Sequence, residues 1–78
     1  MDINENITRT FGQAVQEVRI DRGLSQEELA AVLGMHRTYV SDVERGVRNT
    51  SLVNAKRIAR ALGVRLAELI EMAETEDD

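Results

Sequence analysis

The spacing of glycine in a chain without proline is the feature that most limits how this sequence can fold. Its 78 residues include five glycines and no proline, so glycine and side-chain caps must mark the helix ends. One Phe, one Tyr and no Trp are present, and a core of Leu, Ile, Val and Ala favours helices over a β-sandwich. Apolar segments end at four of the glycines: Gly23, Gly34, Gly46 and Gly63. The pattern predicts one all-α domain of five short helices.

Helical periodicity and capping residues predict the bounds of these helices. Phe11, Val15 and Val18 share one face of the first helix. Ser25 and Glu28 have the spacing of a capping box at the start of the second. The fourth helix has an apolar face made of Leu52, Ala55, Ile58, Ala59 and Leu62. We expect helices at about 7–22, 25–33, 37–45, 52–62 and 66–74, followed by a frayed acidic tail at 75–78.

The connection between the second and third helices is very short. Only Gly34, Met35 and His36 separate them. Two short helices joined by a three-residue turn with a leading glycine are typical of a helix-turn-helix. We therefore expect a domain over residues 1–74 that contains this motif.

Several classes of protein are excluded by what the sequence lacks. It has no Cys and a single His, so no thiolate or multi-histidine metal site is expected, and no cofactor. No nucleophile–base pair or glycine-rich phosphate loop is present, so we do not expect an enzyme. No apolar run approaches the roughly 20 residues that span a bilayer, and the first five residues do not resemble a signal peptide. The sequence predicts a cytoplasmic protein with no membrane partner.

Charge is unevenly distributed along the chain, although the net charge is −4. Residues 34–63 hold six basic and two acidic side chains, whereas residues 64–78 hold one basic and six acidic. A basic stretch on a short domain is typical of a phosphate-binding face. A solvated mixed surface explains the charge pattern equally well at this point.

From Arg19 to Leu69 the order of residues resembles the Cro and phage-repressor type of DNA-binding domain, the Xre family. The matching pieces are Arg19-Ile20, Gly23-Leu24-Ser25-Gln26-Glu27, Leu29-Ala30, Gly34-Met35, Val40-Ser41, Val43-Glu44, Gly46, Leu52, Ile58-Ala59 and Ala61-Leu62-Gly63-Val64. Within that family, residues 37–49 are similar to the recognition segment of the controller proteins of restriction–modification systems. The resemblance implies a compact five-helix, lambda-repressor-like domain. It also implies a transcriptional regulator that binds a two-fold symmetric operator in double-stranded DNA as a homodimer.

The start of the third helix is where such a motif reads bases, because it enters the major groove. Arg37 can offer two donors to guanine O6 and N7, and Thr38 can donate to a base or contact a thymine methyl. Ser41 and Asp42 follow one turn later on the same face. Asp42 carries a charge that phosphate repels, so orienting Arg37 or Arg45 is its alternative role.

Other residues of the motif are expected to contact the DNA backbone or to hold the fold. The resemblance implies that Gln26 binds a phosphate and braces the first residue of the recognition helix. It also implies that Arg19 and Glu44 form a partly buried ion pair whose role is structural. The expected backbone-contact residues are Ser25, Gln26, His36, Tyr39, Arg45, Arg48 and Asn49.

The fifth helix is the predicted dimer interface. A single recognition helix reads only about 4–5 base pairs, so two copies normally bind two half-sites. Apolar residues cover more of the fifth helix than a narrow core-facing stripe needs. The alternative is that they all fold back on the core. The predicted interface residues are Val64, Leu66, Leu69, Ile70, Met72 and Ala73.

A protein-binding module is the rival function. An antitoxin of the same fold would mask a toxin and bind DNA only secondarily. Among regulators, the controller interpretation adds RNA polymerase as a candidate partner, contacted through Glu28 or the acidic tail. The operator sequence and the sign of regulation do not follow from the sequence.

Overall fold

The computed structural model describes the backbone of residues 3–77 and the side chains of residues 6–76. Met1, Asp2 and Asp78 lie outside the described residues. Five helices follow one another, with no strand in the described part of the chain, so the all-α prediction is confirmed. They are α1 (Ile3–Asp21), α2 (Gln26–Leu33), α3 (Arg37–Glu44), α4 (Leu52–Leu62) and α5 (Leu66–Asp77).

Two helices extend beyond their predicted ends. α1 begins at Ile3 instead of near Ile7, and α5 continues past Glu74 to Asp77. The hydroxyl of Thr75 donates to the Glu71 carbonyl at 2.8 Å within this added turn. The predicted end of α5 at Glu74 is therefore wrong, and the frayed acidic tail at 75–78 stays a prediction. The domain boundary at residue 74 stays a prediction.

α1 organises the core, since it packs against α5, α3 and α4, while α2 packs against α3 and α4. Leu29 of α2, Ala59 of α4 and Leu69 of α5 are fully buried between these helices. Leu52, which we expected on the buried face of α4, is 76% exposed. Leu52 is the first residue of α4 and lies outside the core, whereas Ala55 and Ile58, further along the helix, are buried in it.

The caps at the start of α2 and α4 fix where these helices begin. Ser25 accepts from the Glu28 backbone N–H at 3.0 Å, and the Glu28 carboxylate accepts from the Ser25 N–H at 2.8 Å. The backbone and hydroxyl hydrogen bonds from Ser25 lower the pKa of Glu28. Ser51 accepts from the Asn54 N–H at 3.1 Å. The predicted capping box is therefore present, and it places Gln26 in the first turn of α2.

Gly12 allows α1 to cross the end of α3 at very short range. A Cβ built on Gly12 would lie 2.1 Å from the carbonyl oxygen of Val43 and 2.9 Å from that of Glu44. A Cβ built on Gly46, where φ is +74°, would likewise lie 2.7 Å from the Cα of Arg9. Helical periodicity alone does not explain a glycine inside the first helix. The structure shows that α1 and the recognition helix are held together by contact of their backbones.

Candidate nucleic-acid interface

α2, the turn 34–36 and α3 form the helix-turn-helix that the sequence predicted. Gly34 adopts the left-handed conformation, with φ 69°, and the Met35 N–H donates to the Ala30 carbonyl at 2.9 Å. His36 occupies the N-cap position of α3, but its side chain makes no capping hydrogen bond. The N-terminal end of α3 is therefore left open beside the turn.

The residues predicted to read bases lie on the exposed side of α3. Arg37 and Thr38 are exposed in its first turn, and Ser41 and Asp42 are half-buried one turn later. This is the arrangement in which the first turn of a recognition helix can reach base edges in a major groove. Contact with a base stays a prediction for all four residues.

Asp42 is already engaged by a neighbouring arginine. Arg45 Nη2 donates to Asp42 Oδ1 at 2.7 Å, from one turn further along the chain. The ion pair favours the alternative that Asp42 orients Arg45. It also neutralises a carboxylate that would otherwise repel the phosphates.

Gln26 connects α2 to the recognition helix. Its Oε1 accepts from Arg37 Nη1 at 3.2 Å, and its Nε2 donates to Glu44 Oε1 at 3.0 Å. The brace that the resemblance implied between Gln26 and the first residue of α3 is thus part of the structure. Both ends of the Gln26 amide are used by the protein itself.

Arg19 and Glu44 lie together as a buried ion pair between α1 and α3. Arg19 Nε is 2.6 Å from Glu44 Oε2 and Nη2 is 3.0 Å from Oε1, so the contact is bidentate. Arg19 Nη1 also donates to the Leu24 carbonyl at 2.7 Å. The pair ties the recognition helix to α1 and to the start of α2.

The predicted backbone-contact residues after α3 differ in exposure. Arg45, Arg48 and Asn49 are exposed, as a phosphate contact requires. Tyr39 is only 9% exposed, and the guanidinium of Arg48 lies 4.8 Å from the centre of its ring. The Tyr39 hydroxyl is buried without a hydrogen-bond partner among the described residues. A phosphate contact by Tyr39 would need another side-chain orientation and stays a prediction.

Burial corrects part of the predicted dimer interface on α5. Leu69 and Ala73 are fully buried in the core of their own chain, so they have no surface to offer a partner. The prediction is wrong for these two residues because α5 packs along α1 and turns them inward. The other predicted interface residues are half-buried against the core: Val64, Leu66, Ile70 and Met72.

The two most exposed large apolar residues among those described, Leu52 and Val53, lie elsewhere, in a segment for which the sequence predicted no interface. Val47, Leu52 and Val53 are 65%, 76% and 70% exposed. We call residues 47–53 the α3–α4 segment. Leu52 also lines a 230 Å³ cavity beside Arg48 and Asn49. The signal that could have found it is two apolar residues immediately after the Ser51 cap, where a helix start is normally solvated.

Two further kinds of feature, a metal-ion site and a membrane-spanning helix, are not found in the described part of the chain. No group of three or more His, Asp or Glu side chains there is placed to hold a metal ion. None of the described helices is long and apolar enough to cross a bilayer.

Comparison with known proteins identifies several similar chains. Residues 15–69 match the family described as Helix-turn-helix. Control protein C.BamHI of Bacillus amyloliquefaciens is 46% identical over 70 residues, which cover 88% of this chain and 86% of that protein.

Solved structures show the same similarity in three dimensions. The restriction-modification controller protein C.AhdI of Aeromonas hydrophila is 50% identical, with a TM-score of 0.77 over 80% of this chain and 94% of the other. The restriction-modification controller protein C.Esp1396I was solved as a tetramer in complex with its natural 35 base-pair operator. It is 28% identical, with a TM-score of 0.81 over 91% of this chain and 93% of the other.

Proposed function

This chain belongs to the helix-turn-helix family, in the group of restriction–modification controller proteins, and on that premise we propose that it regulates transcription by binding operator DNA as a homodimer. The observation that carries the proposal is the exposed first turn of α3, where Arg37 and Thr38 are free of the core. The protein acts by binding, and no chemical step is needed.

Base reading and phosphate binding fall to different residues. Arg37 is the residue that discriminates between bases, because its guanidinium can bond guanine O6 and N7 together. Arg45, Arg48 and Asn49 hold the backbone and set the register on the duplex. Loss of Arg37 should change which sequence is bound, whereas loss of a phosphate contact should weaken all sequences alike.

The charge distribution supports this orientation on DNA. The basic residues of 34–63 include Arg37, Arg45 and Arg48, which are all exposed on α3 or directly after it. The chain's strongest excess of acidic residues is in 64–78, the part of the sequence that contains α5. Phosphate attracts the first surface and repels the second.

A second copy of the chain is proposed to pack on the α3–α4 segment. Its three exposed apolar side chains directly follow the recognition helix, and they are continuous with the DNA-facing residues Arg48 and Asn49. A partner bound beside α3 would present a second recognition helix to the same face of the duplex, as a two-fold operator requires. The half-buried α5 residues Val64 and Met72 lie on the rival surface.

Two exposed apolar residues outside the segment give matched controls for the dimer contact. Ile20 and Val32 are 61% and 66% exposed on α1 and α2. We expect Leu52→Asp to sediment as a monomer and to lose affinity for a two-fold operator, while Val32→Asp stays dimeric. A Leu52→Asp protein that remains dimeric would contradict this placement and return the interface to α5.

The proposed partners and location follow from DNA binding. RNA polymerase is a candidate second partner if the protein activates transcription, and the cytoplasm is the proposed compartment. Of the two acidic surfaces considered for the polymerase, Glu28 is committed to the capping box with Ser25. Exposed Glu74 and Glu76 at the end of α5 are therefore the preferred contact.

Selection from randomised duplex DNA, run together with sedimentation, tests the proposed function. We expect enrichment of two-fold symmetric sites by a dimeric protein. Arg37→Ala should relax one base position in each half-site and keep salt-dependent background binding. A monomer that enriches no sequence would contradict the proposal and favour the antitoxin-like protein-binding module.

A further inference from the structure

The side-chain amide of Gln26 lies between the recognition helix and the buried ion pair, and its two ends face opposite kinds of group. Its Nε2 donates to the Glu44 carboxylate at 3.0 Å, and its Oε1 accepts from the Arg37 guanidinium at 3.2 Å. A carboxylate only accepts hydrogen bonds and a guanidinium only donates them. Only one of the two amide orientations therefore satisfies both neighbours.

The inner end of this chain of hydrogen bonds is fixed by charge. Glu44 is 6% exposed, and Arg19 donates to both of its oxygens, at 2.6 and 3.0 Å. Arg19 is itself held by the Leu24 carbonyl. Arg37, at the outer end, is exposed to solvent. The orientation of the amide is therefore set from the buried pair outward.

We propose that Glu44 is a positioning residue for base recognition, because through Gln26 it orients the guanidinium of Arg37. The inference rests on the proposed function. It gives the Arg19–Glu44 ion pair, first assigned to structure alone, a second role in specificity. One bond to Gln26 leaves the other N–H groups of Arg37 free for guanine. An arginine that is already oriented also loses less side-chain freedom on binding.

Without the Glu44 carboxylate, only the exposed guanidinium of Arg37 would hold the Gln26 amide in this orientation. A flipped amide would turn its NH₂ group toward the guanidinium of Arg37, where two donors face each other. The arginine would then be released from α2. We expect a weaker preference for guanine at the base that Arg37 contacts, with the phosphate contacts of Arg45 and Arg48 unchanged.

Two variants separate this role from a structural one. Gln26→Met removes the amide from a half-buried surface position. Arg19→Met/Glu44→Met replaces the ion pair by apolar side chains of similar length, which avoids leaving one charge buried alone. Gln16→Met is the matched control, since Gln16 is exposed on α1.

The readout is the affinity ratio for operators that carry guanine or adenine at the Arg37 position, together with the salt dependence of binding. We expect each of the two variants to lower the ratio by about three- to tenfold. The triple variant should be no worse than Gln26→Met alone, because both changes act through one amide. The salt dependence and the Gln16→Met ratio should match the wild type.

Three results would overturn the inference. The first is a folded Arg19→Met/Glu44→Met protein that keeps the wild-type ratio, because Glu44 would then be structural only. The second is an unchanged ratio for Gln26→Met. The third concerns the wild-type protein and applies even if the double variant does not fold. The side-chain amide protons of Gln26 should exchange with water more slowly than those of Gln16. Equal rates would refute the hydrogen bond from Gln26 to Glu44. A wild-type protein that selects no sequence would instead refute the proposed function.

Discussion

Of the possible glycine-to-alanine replacements in this chain, Gly12→Ala should destabilise the domain most. The new Cβ would lie 2.1 Å from the Val43 carbonyl oxygen and 2.9 Å from that of Glu44. Both obstacles are backbone atoms, so no side-chain rotation can relieve the clash. α1 would have to move away from α3 by roughly 1 Å, since ordinary contacts begin near 3.4 Å.

The size of the effect follows from two opposing contributions. Overpacking of a tight contact costs about 1–3 kcal/mol and occasionally more, and a clash with rigid backbone belongs at the upper end. Alanine in a helix interior recovers about 1 kcal/mol relative to glycine. We expect a net loss of about 2 kcal/mol, which is a large part of the roughly 4–12 kcal/mol that a domain of this length has.

Urea unfolding followed by circular dichroism measures this loss. With a slope of about 1 kcal/mol per M, the midpoint should fall by about 2 M. Gly23→Ala is the control, since a Cβ there meets nothing within 4 Å. Its φ of +71° still costs about 1 kcal/mol. A Gly12→Ala protein as stable as the wild type would refute the close crossing of α1 and α3.

Three further predictions concern the ion pair, the capping box and the α4 cap. Glu44→Ala should destabilise by about 3–5 kcal/mol in urea unfolding, because it leaves Arg19 buried without its partner; a loss under 1 kcal/mol would contradict the burial. The pKa of Glu28 is lowered in the folded state, so its contribution is present above the ordinary glutamate pKa and is lost as the pH falls through the folded-state value. Glu28→Gln should therefore remove part of the acid-induced loss of stability, and identical pH profiles would count against the capping box. Ser51→Ala should cost about 1 kcal/mol, against no change for the exposed Thr38→Ala.

The order of the helices and the position of the recognition turn could be predicted because local chemistry determines them. The capping box of Ser25 and Glu28 and the left-handed Gly34 act within a few residues of sequence, and both are present in the structure. The start of α3 at Arg37 could be predicted for the same reason.

The exposure of single apolar residues could not be predicted in this way, because it depends on how distant helices pack. Leu69 and Leu52 are both leucines on amphipathic helices. Leu69 is buried because α1 lies along α5, whereas Leu52 is exposed because none of the described residues covers the start of α4. Gly12 is similar, since its role depends on α3 crossing α1 at that residue. These positions are decided by tertiary packing, which periodicity does not encode.

The link from Glu44 through Gln26 to Arg37 also needed the structure. The family resemblance implied a brace at Gln26 and an ion pair at Glu44 as separate features. Two distances, 3.0 and 3.2 Å, show that they share one amide. A buried charge thereby reaches an exposed residue of the recognition helix.

The most direct test of base reading by Arg37 uses an operator in which single guanines are replaced by 7-deazaguanine, which lacks the N7 acceptor. At one guanine of each half-site, the wild-type protein should lose about three- to tenfold in affinity on replacement, whereas Arg37→Ala should lose nothing further. If replacement at every guanine weakens both proteins equally, or weakens neither, Arg37 does not read guanine and the central claim is wrong.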